Sequence, residues 1–309
     1  MQRRALVTML AAGVLTLAAA PVWARCEGVA PGARPQNTPR DFVGQTLDEI
    51  QDRGTLTIAV YEDFPPYSWQ EGGTPKGVDI AIGAILAEAL GVRPEYRFVQ
   101  AGENLQVDLM SYVWRGTVQK EPVSNVMLRV PYNSDFTCLV EQVVFTGQYA
   151  AEEIAIAYRQ DAYPDAVPSD HPRHEGAPVP AFFRFDPVAV ENDSISDFYL
   201  TSFPGGQIGD SIHRYPSMAK AMAALAGGEV MAAMGPRAQL QFGAAAGVRV
   251  HQPPLPSFAL GRWTVGLAVH QSHRDLAYAL DDAIAAALAD GRIAAAYAAY
   301  GLTFTPPDR

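Results

Sequence analysis

The 309-residue chain carries 33 Asp and Glu against 23 Lys and Arg, a formal net charge of -10, and 49% of its residues are apolar. This is a globular composition with length for about two domains. Its acidity argues against nucleic acid or anionic lipid as a partner. It is compatible with a basic protein partner, or with solubility alone.

Residues 1–24 read MQRRALVTMLAAGVLTLAAAPVWA. Arg3 and Arg4, an apolar run and a small-residue site predict a secretory signal peptide cut near Ala24. The apolar run is short for a membrane anchor. Cleavage takes the formal charge from -10 to -12. Cys26 follows, but Arg25 stands where a lipoprotein needs a small residue. No later segment is long and apolar enough to span a membrane, so the expected product is soluble and exported. Cys26 and Cys138 are the chain's two cysteines. An oxidising compartment allows them one intramolecular pairing, and a Cys26–Cys138 disulfide is expected, with two free thiols as the alternative.

Glu27–Asp41 is Pro- and Gly-rich and reads as an extended tail. Leu47–Gln51 suggests a helical turn, Thr55–Tyr61 (TLTIAVY) a buried strand, Val78–Leu90 a helix stopped by Gly91, and Arg93–Val99 a strand. That order is a parallel βαβ unit. Asn104–Arg115 reads as a helix, Asn125–Val130 as a strand and Phe136–Thr146 as a long β-branched strand. A second unit is expected from short strands at Ile154–Tyr158, Pro187–Glu191, Val230–Met234 and Val248–His251. Its helices are Ser194–Leu200, Met218–Ala226 and Ala238–Ala246. Trp263–Val269 is a further strand. Leu276, Leu280, Ile284 and Leu288 then mark an amphipathic helix, and Ile293–Tyr300 a last one.

The fold expectation is α/β and two-lobed, each lobe a mostly parallel sheet flanked by helices, with the strands at 136–146 and 263–269 crossing as a hinge. The expected divisions are 1–24 signal, 25–50 tail, 51–145 first lobe, 146–256 second lobe, and 257–309 hinge strand and return. A ligand would sit between the lobes at the strand ends.

GTLTIAVYEDFPPYSWQEGGTPKGVDIAIGAILAEALG resembles the start of the type II periplasmic solute-binding proteins (extracellular family 3). The carriers are the strand Thr55–Tyr61, the turn Pro65-Pro66-Tyr67 and the step Gly77-Val78-Asp79. The closing segment VGLAVHQSHRDLAYALDDAIAAALADGRIAAAYAAYG is also similar to theirs. Within Leu105–Pro164, and again in FFRFDPVAVENDSISDFYLTSFPGGQ, the chain resembles MxaJ and XoxJ. These are solute-binding-like accessory proteins of methanol dehydrogenase operons. That resemblance implies a periplasmic protein that assists maturation or activation of a quinoprotein methanol or alcohol dehydrogenase.

Amino-acid-binding members of the family use three devices. An Arg in a turn after the third strand grips the carboxylate. A helix N-terminus in the second lobe receives anions. An acidic residue after a second-lobe strand takes the ammonium. Here the turn reads Pro131-Tyr132-Asn133-Ser134-Asp135-Phe136 without Arg, and Arg129 precedes it. The helix start reads Glu191-Asn192-Asp193-Ser194. Met234 runs into Gly235-Pro236-Arg237. The resemblance therefore implies a lost amino-acid site.

The candidate cleft residues are Glu62, Phe64, Tyr67, Trp69, Asp79, Trp114, Arg115, Arg129, Tyr132, Asp193 and Arg237. Core packing is the competing role for each aromatic. Asp79 reads first as a helix N-cap and Arg115 as neutralising a helix C-terminus. Asp170–Glu175 (DHPRHE) carries two histidines in a Pro-rich loop, which favours a solvated insertion over a metal site. No cofactor and no catalytic residue are expected, and the chain is expected to be a monomer. The competing functions are a transport receptor for a small non-amino-acid solute and a dehydratase-like enzyme using Glu62 and Arg129.

Overall fold

The computed structural model describes residues 45–119, 121–132, 134–165, 176–203 and 206–308. The expected signal peptide, the tail as far as residue 44, Cys26 with its pairing, Asn133, and the histidine-containing loop 166–175 lie outside them.

The first half is built on β1 (Thr55–Tyr61), which pairs in parallel with β4 (Arg93–Val99) and β5 (Val126–Tyr132). Between them come the hairpin β2 (Trp69–Glu71) and β3 (Thr74–Lys76) and the helix α2 (Val78–Ala89). α1 (Leu47–Arg53) enters through a capping box formed by Thr46 and Glu49, and Gly54 closes it in the left-handed region. α3 (Leu105–Leu109) continues as a π-helical turn over Met110–Trp114.

Residue 136 is where the sequence expectation fails. Ser134–Leu139 is a helix, α4, and not the start of a strand. Phe136 and Val140 are one helical turn apart and pack into the same core, so a helical period serves this apolar run as well as alternation does. The strand begins at Val143 and runs without interruption to Arg159 as β6. It absorbs the separate short strand expected at Ile154–Tyr158.

β6 joins the halves. Its first part pairs antiparallel with β11 (Arg262–His270). Its last part pairs with β9 (Ala232–Pro236) and β10 (Val248–His251). β9 then carries β7 (Val188–Glu191) and β8 (Ile212–Tyr215) in parallel. The sheet order is β4-β1-β5-β11-β6-β9-β7-β8, with β10 on β6. The outer strands of each lobe are thus parallel, and the crossing strands β6 and β11 are antiparallel. β8 and the β2–β3 hairpin have no counterpart in the sequence expectation.

Helices cover both lobes. α5 (Ile195–Thr201), α6 (Met218–Gly227) and α7 (Arg237–Phe242) belong to the second half. Ser194 and Ser217 cap α5 and α6 through their side chains. α8 (Arg274–Ala289) and α9 (Arg292–Ala298) return to the first half. There Leu276, Leu280 and Ile284 pack with Ile58, Ile82 and Leu86 in its largest core. Among the described residues, no helix is long and apolar enough to cross a membrane.

Candidate functional site

Two local irregularities build the site. In β5, Val130 pairs with Gly266 and Met127 with Ala268, so Leu128 and Arg129 both oppose the single Leu267. This is a β-bulge. Arg129 adopts a φ of +58° within it, a conformation that costs a branched or long residue energy. A bulge re-aims a side chain, and here it turns Arg129 inward beneath the start of α2.

The second irregularity is Gly77, with a φ of +125°. A Cβ placed there would lie 2.0 Å from the Tyr67 carbonyl oxygen. Glycine alone permits this approach, and the Asp79 N–H then donates to that carbonyl at 2.9 Å. The Gly77-Val78-Asp79 step therefore fixes both Tyr67 and Asp79. Asp79 does not act as the N-cap expected from sequence. Gly77 occupies that position without a side-chain cap, and Asp79 sits in the first turn, where the helix dipole favours an anion.

Arg129 Nε donates to Asp79 Oδ2 at 2.7 Å, and Nη2 donates to Asp79 Oδ1 at 2.9 Å. Nη1 donates to Glu152 Oε1 at 2.7 Å, and Nη2 also reaches the Tyr297 hydroxyl at 3.4 Å. Four of the five guanidinium N–H groups are thereby used. The Tyr67 ring lies under the guanidinium, 3.3 Å from Cζ to the ring centroid. The Tyr67 hydroxyl donates to Glu152 Oε2 at 2.9 Å, and the Tyr149 hydroxyl to Asp79 Oδ1 at 3.1 Å.

All members are buried, with Arg129 6% and Asp79 1% exposed. Burial opposes the Arg129 charge, but Asp79 and the neighbouring groups outweigh it and hold its pKa well above the usual range. Burial, with Glu152 beside it, pushes the Tyr67 hydroxyl far up. Burial, with Asp79 beside it, does the same to Tyr149.

This cage borders a cavity of about 220 Å³ between the lobes. Tyr61, Phe64, Tyr67 and Leu105 form its first-lobe wall, and Arg129 and Glu152 its polar floor. Pro236 and Trp263 close the opposite side. The Arg129 charge at this floor is already neutralised by Asp79 and Glu152.

Phe64, Tyr67, Asp79 and Arg129 thus come together at one place. The other candidates lie elsewhere. Trp69 packs against Phe242 and Tyr300, with ring centroids 5.6 and 5.5 Å away. Trp114 is buried in the core on the far face of the first-lobe sheet, among Val99, Met127 and Ala268. Glu62, Arg115 and Asp193 are exposed. Tyr132 is half-buried and ends β5 opposite Thr264, so the turn expected at Pro131-Tyr132 is strand. Arg237 pairs with Glu153 at 3.0 Å. Ser194 caps α5, and the Asp193 carboxylate accepts from the Asn192 side chain at 2.6 Å.

The sequence reading omits Glu152, Tyr149 and Tyr297. A signal for Glu152 exists in YAAEEIAIAY. Two adjacent carboxylates in an apolar strand point to opposite faces and each demands a cation. Glu152 meets Arg129, and Glu153 meets Arg237 and Arg262.

Comparison with solved structures places this architecture. An ancestral cationic amino acid solute-binding protein matches with a TM-score of 0.65 at 19% identity, over 83% of this chain and 99% of that one. An amino acid ABC transporter substrate-binding protein from Streptococcus pneumoniae, bound to L-arginine, matches with a TM-score of 0.58 at 16% identity, over 85% of this chain and 100% of that one. A histidine kinase sensor domain with similarity to periplasmic binding proteins matches with a TM-score of 0.56 at 20% identity, over 82% and 98%. The likeness establishes the two-lobed periplasmic binding-protein fold. No family model and no curated protein matches the chain.

Proposed function

We propose that this chain is a non-catalytic periplasmic accessory protein built on the solute-binding fold. In this reading it assists maturation or activation of a quinoprotein methanol or alcohol dehydrogenase, and its amino-acid-binding devices are lost. The observation that carries the reading is the internal neutralisation of Arg129 by Asp79 and Glu152. A free amino acid needs an unpaired cation for its carboxylate, and this cleft spends its buried guanidinium on its own side chains. The resemblance of Leu105–Pro164 and Phe182–Gln207 to MxaJ and XoxJ supplies the partner. The leader MQRRALVTMLAAGVLTLAAAPVWA supplies the compartment.

Chemical cross-linking in the periplasm tests the partner. A cross-link between this chain and the dehydrogenase is expected, and its absence while other periplasmic complexes are captured counts against the proposal. The Cys26–Cys138 disulfide belongs to the same exported state. Alkylation of the denatured protein before and after reduction should add mass only after reduction.

A second reading, a receptor for a small non-amino-acid solute, is favoured by the aromatic cavity. Its 220 Å³ falls below the roughly 300–1,000 Å³ of common ligand pockets, so a small uncharged ring or alcohol is the fitting class. Selective binding raises the unfolding temperature, and a thermal-shift screen with sugars, alcohols and aromatic rings distinguishes this reading.

A further inference from the structure

The groups around Arg129 recognise three separate features of a guanidinium. Asp79 matches the Nε–Nη2 edge with two parallel bonds, Glu152 takes Nη1, and Tyr67 covers one face of the plane. Bidentate carboxylate pairing and ring stacking are the interactions by which a guanidinium is distinguished from an ammonium. The cage also opens toward the inter-lobe cavity, since Tyr67, Arg129 and Glu152 all line it. Finally, Arg129 reaches the cage only through the strained left-handed backbone of the bulge, where a glycine would be unstrained.

We propose that Asp79, Glu152 and the surrounding tyrosines form a guanidinium-binding site that the chain keeps filled with its own Arg129. Arg129 is a tethered ligand, and a free guanidinium compound binds once it is removed. The inference rests on the reading of an occupied cleft but not on the dehydrogenase, so cross-linking to that partner is unaffected by its failure.

The test is Arg129→Gly in the full chain. Glycine relieves the backbone strain, vacates the cage and leaves two buried carboxylates without their cation. The variant should unfold at least several degrees below the native protein. Millimolar methylguanidinium should raise its midpoint saturably, by a few degrees or more, while equal concentrations of methylammonium do markedly less and urea nothing. The native protein should gain nothing from methylguanidinium. Arg129→Ala, which keeps the strained φ, should be less stable than Arg129→Gly with or without methylguanidinium.

Equal responses to methylguanidinium and methylammonium, or a native protein that is stabilised as much as the variant, overturn the proposal. If Arg129→Gly does not fold even with methylguanidinium present, nitrogen NMR of the native chain decides. A slowly exchanging Arg129 Nε–H with hindered Nη rotation supports the filled cage. A freely rotating, rapidly exchanging guanidinium overturns it.

Discussion

Arg129 and Asp79 meet in a two-bond fork, 2.7 and 2.9 Å long, with both side chains almost wholly out of solvent. Fifty residues separate them in sequence. The contact needs the bulge in β5 at one end and the glycine before α2 at the other. Removing one partner of such a pair costs more than the pair itself contributes, because the survivor stays buried without its counter-charge.

Asp79→Asn should therefore destabilise the protein by about 3–5 kcal/mol, measured by urea unfolding. The amide keeps only one acceptor oxygen, so one bond of the fork is replaced by two donors facing each other, and the Tyr149 hydroxyl, which donates to Asp79, loses its charged acceptor. Glu152→Gln should cost less, since an amide oxygen still accepts from Nη1. Equal, sub-kcal/mol effects would show the cage to be solvated.

Tyr67 has two separable roles. Tyr67→Phe keeps the ring against the guanidinium but removes the donor to Glu152 Oε2. It should cost about 1–3 kcal/mol, the usual penalty for a buried polar atom losing its partner. Tyr67→Leu also loses the cation–π contact, worth about 2 kcal/mol when desolvated, and should be clearly worse in the same unfolding experiment.

Acid should destabilise the fold through His270. Burial, and His273 beside it, lower the His270 pKa from 6.5 to about 4. In the unfolded chain His270 takes up its proton first as the pH falls, so the unfolded state is favoured increasingly from about pH 6.5 down toward about pH 4. His270 Nδ1 also accepts the Ser272 N–H at 3.0 Å, a bond that protonation at Nδ1 abolishes. His251, lowered chiefly by burial, acts in the same direction. Unfolding midpoints measured between pH 7 and pH 4, which bracket these pKa values, should fall less steeply in His270→Gln than in the native protein.

Residues 303–308 strap the crossing strands to the second lobe. Thr303 exchanges hydrogen bonds with the Gln241 side chain at 2.9 and 3.0 Å, and Thr305 O accepts from Ala151 N–H at 2.9 Å. Arg237 reaches Thr303 O and Thr305 Oγ1, and Asp308 pairs with Arg262. A chain ending at Leu302 should exchange the Ala151 amide roughly five- to tenfold faster, as expected when a contact worth about 1 kcal/mol is lost. Unchanged exchange at Ala151 would show that the strap carries no load.

Much of the fold is legible in the sequence because its strands are short apolar runs bounded by turn residues. β1, β4 and β10 start and end where the pattern places them, and the Leu276–Leu288 period marks α8. The failure at 136–142, before the strand starts at Val143, arises where an apolar segment fits two periods equally well. The β2–β3 hairpin is signalled by Gly72-Gly73, but its strands are three residues long with Trp69 as their one large apolar side chain, too little for alternation to register.

The site is legible only in part. Phe64, Tyr67, Asp79 and Arg129 stand out as charges and rings near strand ends. Their mutual contact does not, because a bulge adds one residue to a strand without altering its apolar composition. Glu152, Tyr149 and Tyr297 come from elements read purely as scaffold. Long-range pairing, rather than residue type, makes them part of the cage.

The proposed role is tested most directly by deleting the gene and measuring dehydrogenase activity per molecule of dehydrogenase in the periplasm. The account predicts that the enzyme is still made and exported but has low specific activity, restored when this protein is supplied again. Full specific activity in the deletion strain would contradict it.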